Sequence, residues 1–229
     1  MPSRTSVDCF VDLAGELSVR GFLHLPFQEN GHSLVLTHGA GANCQSNLLV
    51  AVSNALADIG FRVLRCDLPF RQIRPHGPPF PANAARDRQG LRRAIAVMKE
   101  RTVGRVFVGG HSYGGRQATI LASEEPQLVD GLLLLSYPLH PPRKPSELRV
   151  GHFPKLLKSA LFVHGSRDPF GSIGEMKSAL ELMPGRNMLL EVIGMGHDLL
   201  SKNAASDLPA RIATAFQEFF TNQPGFGPL

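Results

Sequence analysis

Cysteine is scarce in this sequence: only Cys9, Cys44 and Cys66 occur among its 229 residues. Because their number is odd and their spacing follows no known framework, the sequence predicts neither a disulfide scaffold nor a zinc site. No apolar run is long enough to cross a membrane, and candidates such as 132–135 have the length of a strand. The first residues also lack the apolar core of a secretory signal, so we expect a cytoplasmic protein without membrane contact.

Two further absences exclude common partners. No nucleic-acid reader motif accompanies the net charge of +5, so nucleic acid is not an expected partner. The segment Gly39-Ala40-Gly41 lacks the third glycine and the acidic residue of a dinucleotide site, and no metal-ligand spacing occurs. We therefore expect no cofactor and no metal. The expected oligomeric state is a monomer or a homodimer.

Apolar segments of strand length alternate with amphipathic segments along the chain. The strands are predicted at 33–37, 61–66, 105–108, 132–135, 160–164 and 188–193, and the helices at 48–59, 84–101, 117–124, 172–183 and 204–220. This alternation predicts an α/β fold with a mainly parallel sheet covered by helices on both faces.

Three parts of the chain depart from this alternation of strands and helices. Segments 7–11 and 17–25 read as an N-terminal antiparallel hairpin. The segment 69–81 is so rich in proline that no regular structure is expected there, and whether it closes over a site is left open. We predict one domain over residues 1–229, with a frayed tail at 223–229.

A serine follows one predicted strand directly. The sequence Gly110-His111-Ser112-Tyr113-Gly114 has the G-x-S-x-G form of a nucleophile elbow, a tight turn from strand to helix. Such a turn strains the backbone of the serine and requires small residues two positions away on each side. The motif predicts Ser112 as a nucleophile.

An acid and a histidine follow two later strands. Asp168 comes after the predicted strand 160–164, and His197 comes after 188–193. Working groups collect at the carboxyl ends of parallel strands, and the order Ser, Asp, His is that of a hydrolase triad. Asp168 also precedes a proline, where an aspartate is a common turn device. We predict His197 as the base and Asp168 as its orienting acid.

The loop after strand 33–37 consists of small residues. It can bring backbone N–H groups to a developing oxyanion, and the predicted donors are Tyr113 and Ala40. His38, which opens the loop, is interpreted as a packing residue rather than a proton carrier.

Several segments of the chain resemble those of a known family. In 35–40, 67–71, 110–116, 164–168 and 196–197 the chain resembles the α/β-hydrolase superfamily, in its small, lid-less, dienelactone-hydrolase-like form. The segment 136–140, Ser-Tyr-Pro-Leu-His, resembles a branch of predicted bacterial hydrolases related to a testis-expressed human protein. The resemblance implies the same roles for Ser112, Asp168 and His197. Dienelactone hydrolases proper carry cysteine at the elbow, so their substrate is not carried over.

The function predicted from these residues is hydrolysis of a small carboxylic ester through an acyl-enzyme. Gly39, Arg71 and Tyr137 are candidate substrate contacts, and the arginine-rich loops raise the hypothesis of an anionic substrate. The alternative for these loops is a solvated basic surface. Thioesterase, amidase or acyltransferase activity on the same triad stays open, as does a binding module that keeps the fold without catalysis.

Overall fold

Eight strands form one sheet in the computed structural model, which describes residues 5–200 and 207–221. The strands are β1 (Ser6–Asp12), β2 (Val19–Leu25), β3 (Ser33–Thr37), β4 (Arg62–Cys66), β5 (Val106–His111), β6 (Gly131–Leu135), β7 (Ala160–Gly165) and β8 (Asn187–Val192). Their order across the sheet is β1-β2-β4-β3-β5-β6-β7-β8. The strands β1 and β2 pair antiparallel, β2 pairs antiparallel with β4, and every other pairing is parallel. The predicted sheet and its N-terminal hairpin are therefore confirmed.

Six α-helices cover this sheet within the described ranges. They are α1 (Asn47–Asp58), α2 (Pro69–Ile73), α3 (Ala84–Lys99), α4 (Tyr113–Glu124), α5 (Ile173–Leu180) and α6 (Leu208–Thr221). The strands β3, β6 and β7 are buried along their whole length, as continuous apolar strands between two helical layers must be. The predicted helix 204–220 begins at Leu208, and its first three positions lie outside the described residues, as does the predicted tail.

The two faces of the sheet carry separate hydrophobic cores. One core contains Leu91, Leu121 and Met176 and lies under α3, α4 and α5. The other contains Leu49, Phe216 and Phe220 and lies under α1 and α6. Burial of these side chains, at about 25 cal/mol for each Å² of apolar surface removed from water, holds both helical layers against the sheet.

The segment 69–81 is more ordered at its start than its proline content predicts. Pro69 occupies the first turn of α2, where a helix needs no N–H donor, and the Asp87 carboxylate accepts a hydrogen bond from the Phe70 N–H at 3.0 Å. The expectation of wholly irregular structure was therefore wrong for Pro69–Ile73. The remaining prolines fall in 75–81, which forms no α-helix.

The connection between β6 and β7 stays short. Residues 136–159 contain only a single turn of 3-10 helix, Phe153–Lys155, where larger proteins of similar topology could insert a cap. No helix in the described part of the chain is both long enough and apolar enough to span a bilayer.

Candidate active site

Ser112 stands between the end of β5 and the start of α4. Its backbone has φ 50° and ψ −113°, a left-handed conformation that a residue with a side chain rarely adopts. The neighbouring backbones leave no room beside it. A Cβ at Gly110 would lie 2.5 Å from the Thr37 carbonyl oxygen, and one at Gly114 would lie 2.7 Å from that of His38. The two glycines therefore permit the sharp turn that the sequence pattern predicts.

A continuous chain of hydrogen bonds joins Ser112 to the loops after β7 and β8. The imidazole Nε2 of His197 lies 2.8 Å from the Ser112 Oγ, and its Nδ1 lies 2.8 Å from Oδ2 of Asp168. Since the carboxylate can only accept, the neutral ring carries its proton on Nδ1 and accepts from the serine hydroxyl at Nε2. The three residues are far apart in the sequence, and three different loops bring them together.

Backbone groups and a neighbouring ring fix the acid and the histidine. The second oxygen of Asp168 accepts a hydrogen bond from the Phe170 N–H at 2.8 Å, and the side chain is fully buried. The Phe170 ring packs on the His197 imidazole, with 4.2 Å between centroids and 34° between planes. The backbone of His197 is held as well, because the His111 Nε2–H donates to the His197 carbonyl at 2.9 Å. Asp198 is exposed, and Asp168 is the partner of the His197 ring.

A second histidine, His164, lies behind Asp168. Its Nε2–H donates to the Gly171 carbonyl at 2.8 Å and is 3.8 Å from Oδ2 of Asp168. Burial lowers the pKa of His164, so the ring stays neutral and serves the turn 165–171 as a donor.

The loop after β3 lies against Ser112. A Cβ at Gly39 would be 3.5 Å from the Ser112 Cβ and 3.0 Å from the His111 ring, so only glycine fits without displacing a neighbour. The Gly114 N–H donates to the His38 carbonyl at 3.1 Å, which attaches this loop to α4. Within the described residues, neither the N–H of Ala40 nor that of Tyr113 donates to another backbone or side-chain group.

His38 and Arg71 hold this loop from behind. His38 is fully buried; its Nδ1–H donates to the Gly39 carbonyl at 2.9 Å, and its Nε2 accepts from the Leu68 N–H at 3.1 Å. Burial lowers the pKa of His38, in agreement with a neutral ring between two backbone partners. The Arg71 guanidinium donates to the carbonyls of Ala40 and Ala42, at 2.8 and 2.7 Å.

The side chain of Tyr113 connects the elbow to α3. Its hydroxyl donates to Oδ2 of Asp87 at 2.7 Å, while Oδ1 of the same carboxylate accepts from the Phe70 N–H. Burial raises the pKa of Asp87 and also that of Tyr113. Asp87 therefore ties the start of α4 to the start of α2.

A cavity of about 560 Å³ opens beside Ser112. This volume is within the usual range for small-molecule sites. Its lining residues are Ala40, Pro78, Pro79, Phe80, Pro81, Ala84, Arg88, Ser112, Tyr113, Arg116, Ile120, Pro138, Arg149 and Phe170. The proline-rich segment 78–81 thus forms one wall of the cavity.

None of the three predicted substrate contacts lines this cavity. Arg71 is behind the loop, with its donors on backbone carbonyls, and Tyr137 is buried with its hydroxyl on the Arg149 carbonyl at 2.7 Å. Neither side chain lines the cavity, and Gly39 contacts Ser112 from outside it. Strand ends locate a residue near a site without giving the direction of its side chain, and contact of these three residues with a substrate stays a prediction.

The cavity residues that the sequence did not single out as site residues include Arg116, Arg149 and Phe170. Arg116 had a usable signal, since a residue four positions after the serine lies one helical turn away, on the same face of α4. Phe170 follows Asp168 by two residues, and Arg149 had no local signal. Within the described ranges, no three His, Cys, Asp or Glu side chains lie close enough together to hold a metal ion.

Known proteins share both the sequence pattern and the fold. A family model described as an alpha/beta hydrolase domain matches residues 30–219. The dienelactone hydrolase of Anabaena variabilis has 20% identity, and the match covers 95% of this chain and 98% of that one with a TM-score of 0.75. A lid-less α/β serine hydrolase of Xanthomonas campestris matches at 14% identity over 98% and 99% of the two chains, with a TM-score of 0.72. Est1E from Butyrivibrio proteoclasticus matches at 15% identity over 93% and 99%, with a TM-score of 0.71. At these identities the likeness concerns the fold.

Proposed function

The chain belongs to the alpha/beta hydrolase domain family, and from this premise we propose that it is a serine hydrolase that cleaves a small carboxylic ester. The observation that carries the proposal is the hydrogen-bonded chain from Ser112 Oγ through His197 to Asp168, with 2.8 Å at each step. A hydroxyl, an imidazole base and a buried carboxylate are the groups that acyl transfer to serine requires.

In the proposed first half-reaction, Ser112 Oγ attacks the ester carbonyl carbon while its proton passes to Nε2 of His197. The carbonyl oxygen becomes an oxyanion, which the N–H groups of Tyr113 and Ala40 bind; both lack another acceptor among the described residues. The tetrahedral intermediate collapses, the bond to the alcohol oxygen breaks, and the imidazolium protonates the departing alkoxide. Ser112 then carries the acyl group as an ester.

The second half-reaction repeats these steps with water. His197 takes a proton from water while the water oxygen attacks the acyl carbon. His197 then returns this proton to Ser112 Oγ as the carboxylic acid leaves. Throughout, Asp168 holds the Nδ1–H of the imidazole and stabilises its positive charge. The left-handed backbone of Ser112 keeps the hydroxyl clear of β5 and next to the first N–H groups of α4.

Labelling with a fluorophosphonate tests this proposal directly. We expect stoichiometric phosphonylation of the intact protein, and none in Ser112→Ala or in His197→Ala. Circular dichroism of all three proteins controls for folding. A folded intact protein that does not react would contradict the proposal and favour a binding module that keeps the fold.

A further inference from the structure

The cavity beside Ser112 is strongly cationic. Three arginines, Arg88, Arg116 and Arg149, contribute to its wall, whereas no aspartate or glutamate of the described residues does. A guanidinium cannot lose its charge at any ordinary pH, so the wall is positive whenever the protein is folded. What distinguishes the three arginines is the number of partners that each already has.

Arg88 has partners within the protein. Its Nε lies 3.4 Å from a Glu124 carboxylate oxygen, and its Nη1 donates to Oε1 of Gln117 at 3.1 Å. The charge of Arg88 is therefore largely compensated, which makes it an internal reference for the other two.

Arg116 is held close to Ser112, and no carboxylate of the described residues pairs with it. Its backbone N–H donates to the Ser112 carbonyl at 3.0 Å, which places it one turn along α4. Its Nε is buried and, among the described residues, has no hydrogen-bond acceptor. Its neighbours are neutral: burial and the charge of Arg116 lower the pKa of His152 to about 4. Burial also raises the pKa of Tyr137, more than the charge of Arg116 and its side-chain hydrogen bond to Tyr137 lower it.

Arg149 reaches the same cavity from the connection between β6 and β7. Its backbone is fixed twice, because its carbonyl accepts from the Tyr137 hydroxyl and its N–H donates to the Leu139 carbonyl at 2.8 Å. Its guanidinium makes one long contact, 3.5 Å to the Pro138 carbonyl. The nearby Glu147 carboxylate binds Lys144 instead, at 2.8 Å.

Two like charges thus share one wall without a counter-ion in the described structure. Burial, and next the charge of Arg116, lower the pKa of Arg149, and the weaker opposing effects of Tyr137 and Glu147 do not offset them. The Arg149 cation is therefore held where the loss of water and a neighbouring cation both disfavour its charge. Partly buried charges are costly unless an opposite charge pairs with them. A ligand that supplies the missing anion would relieve both costs in a single binding event.

We propose that Arg116 and Arg149 form a subsite for a carboxylate carried by the ester substrate, a proposal that rests on the hydrolase function proposed above. The guanidinium fork matches a carboxylate in geometry and in charge. Ile120 and Pro138 line the cavity as well and offer apolar surface to the carbon chain between the carboxylate and the ester. The substrate class is therefore esters with an anionic end.

The kinetic test compares matched anionic and neutral esters. Ethyl hydrogen adipate is paired with the ethyl ester of adipic acid monoamide, and γ-acetoxybutyrate with γ-acetoxybutyramide, so that the carboxylate stands once on the acyl side and once on the alcohol side. We expect the wild-type kcat/KM ratio to favour the anion by at least ~10-fold in one pair, the size of one charge-assisted hydrogen bond. The ratio should fall towards one in Arg116→Gln and Arg149→Gln, and should persist in the control Arg88→Gln.

A binding test separates this proposal from the hydrolase function. Calorimetric titration with adipate and with neutral adipamide reports the subsite without turnover, and fluorophosphonate labelling reports Ser112. Adipate binding lost in Arg116→Gln and Arg149→Gln would support the subsite even if Ser112 did not react. Equal behaviour of the anionic and neutral compounds in a protein that labels normally would overturn it, as would a preference that survives the double variant R116Q/R149Q.

Discussion

His38 and His197 each lie close to an aspartate, but only one of these two histidines offers a ring nitrogen to the Ser112 hydroxyl. His38 lies 3.5 Å from Asp67, and His197 lies 2.8 Å from Asp168. Both nitrogens of His38 are engaged by backbone groups, whereas His197 presents one nitrogen to a hydroxyl. From this difference we expect the partners of a histidine, more than its proximity to a carboxylate, to decide between a structural and a chemical role.

The largest effect is expected from removing the proposed base. His197→Ala should lower kcat/KM for an ester by roughly 10⁴- to 10⁶-fold, because no other described group accepts the proton of Ser112. The free energy of unfolding should also fall, since the buried Asp168 carboxylate loses the Nδ1–H donor and Phe170 loses its ring contact. Steady-state kinetics and urea unfolding measure the two quantities.

His38→Ala provides the matched control. It leaves the Leu68 N–H and the Gly39 carbonyl without their partner inside the protein, so the free energy of unfolding should fall by about 1–3 kcal/mol. A variant that kept full stability and lost activity as completely as His197→Ala would show that His38 takes part in the chemistry.

Substitutions of the two aspartates, Asp168 and Asp67, should also differ in their effect on the rate. In Asp168→Asn the amide can neither stabilise an imidazolium nor enforce the productive tautomer, so kcat should fall by roughly 10⁴-fold. In Asp67→Asn an amide oxygen can still accept the Cys44 N–H, bound at 2.7 Å in the native protein, and the rate should change far less. Similar rates in the two variants would contradict the assignment.

Low pH should lower the stability of the protein through buried histidines that are uncharged in the folded state. Burial lowers the pKa of both His24 and His152 from 6.5 to about 4. A folded pKa below the unfolded one means that the unfolded chain binds protons first, so stability is full above pH 6.5 and declines as the pH falls towards 4. Urea unfolding at about pH 7.5 and about pH 5 measures the decline. It should be smaller in His152→Gln, and a stability that is equal at both values would refute the argument.

The smallest effect is expected at the elbow tyrosine. Tyr113→Phe removes the hydrogen bond to Asp87 and should lower the free energy of unfolding by about 1 kcal/mol. The rate should hardly change, because the proposed oxyanion donor is the backbone N–H. A large loss of kcat at normal stability would assign the hydroxyl itself a place in the reaction.

Features that depend on local sequence could be predicted. The strands before Ser112, Asp168 and His197 each contain an apolar segment, and parallel strands bring their carboxyl ends to one edge of the sheet. The three residues therefore meet although they are far apart in the chain. Gly110 and Gly114 were informative because the G-x-S-x-G spacing is local, although the backbones that they approach are those of Thr37 and His38.

Features that depend on side-chain direction could not be predicted. Arg71 and Arg116 are both arginines close to Ser112 in the fold, yet one binds backbone carbonyls and the other faces the cavity. Neither the composition of the chain nor the order of its strands distinguishes an arginine that binds the backbone from one that faces the cavity. The helix at Pro69–Ile73 was missed because Asp87, seventeen residues beyond Phe70, supplies its N-terminal hydrogen bond.

The position of β8 in the sheet has a consequence for how the protein loses activity. This strand is one of the two outer strands of the sheet and, among the described residues, pairs with β7 alone. It is half-buried along most of its length, yet the loop after it carries His197. Ser112 follows β5, which is in the interior of the sheet between β3 and β6. Edge strands open at a lower free energy than the centre of a sheet. Under mild denaturant we therefore expect inactivation to precede unfolding, with hydrogen exchange at 187–197 rising while β3 and β5 remain protected.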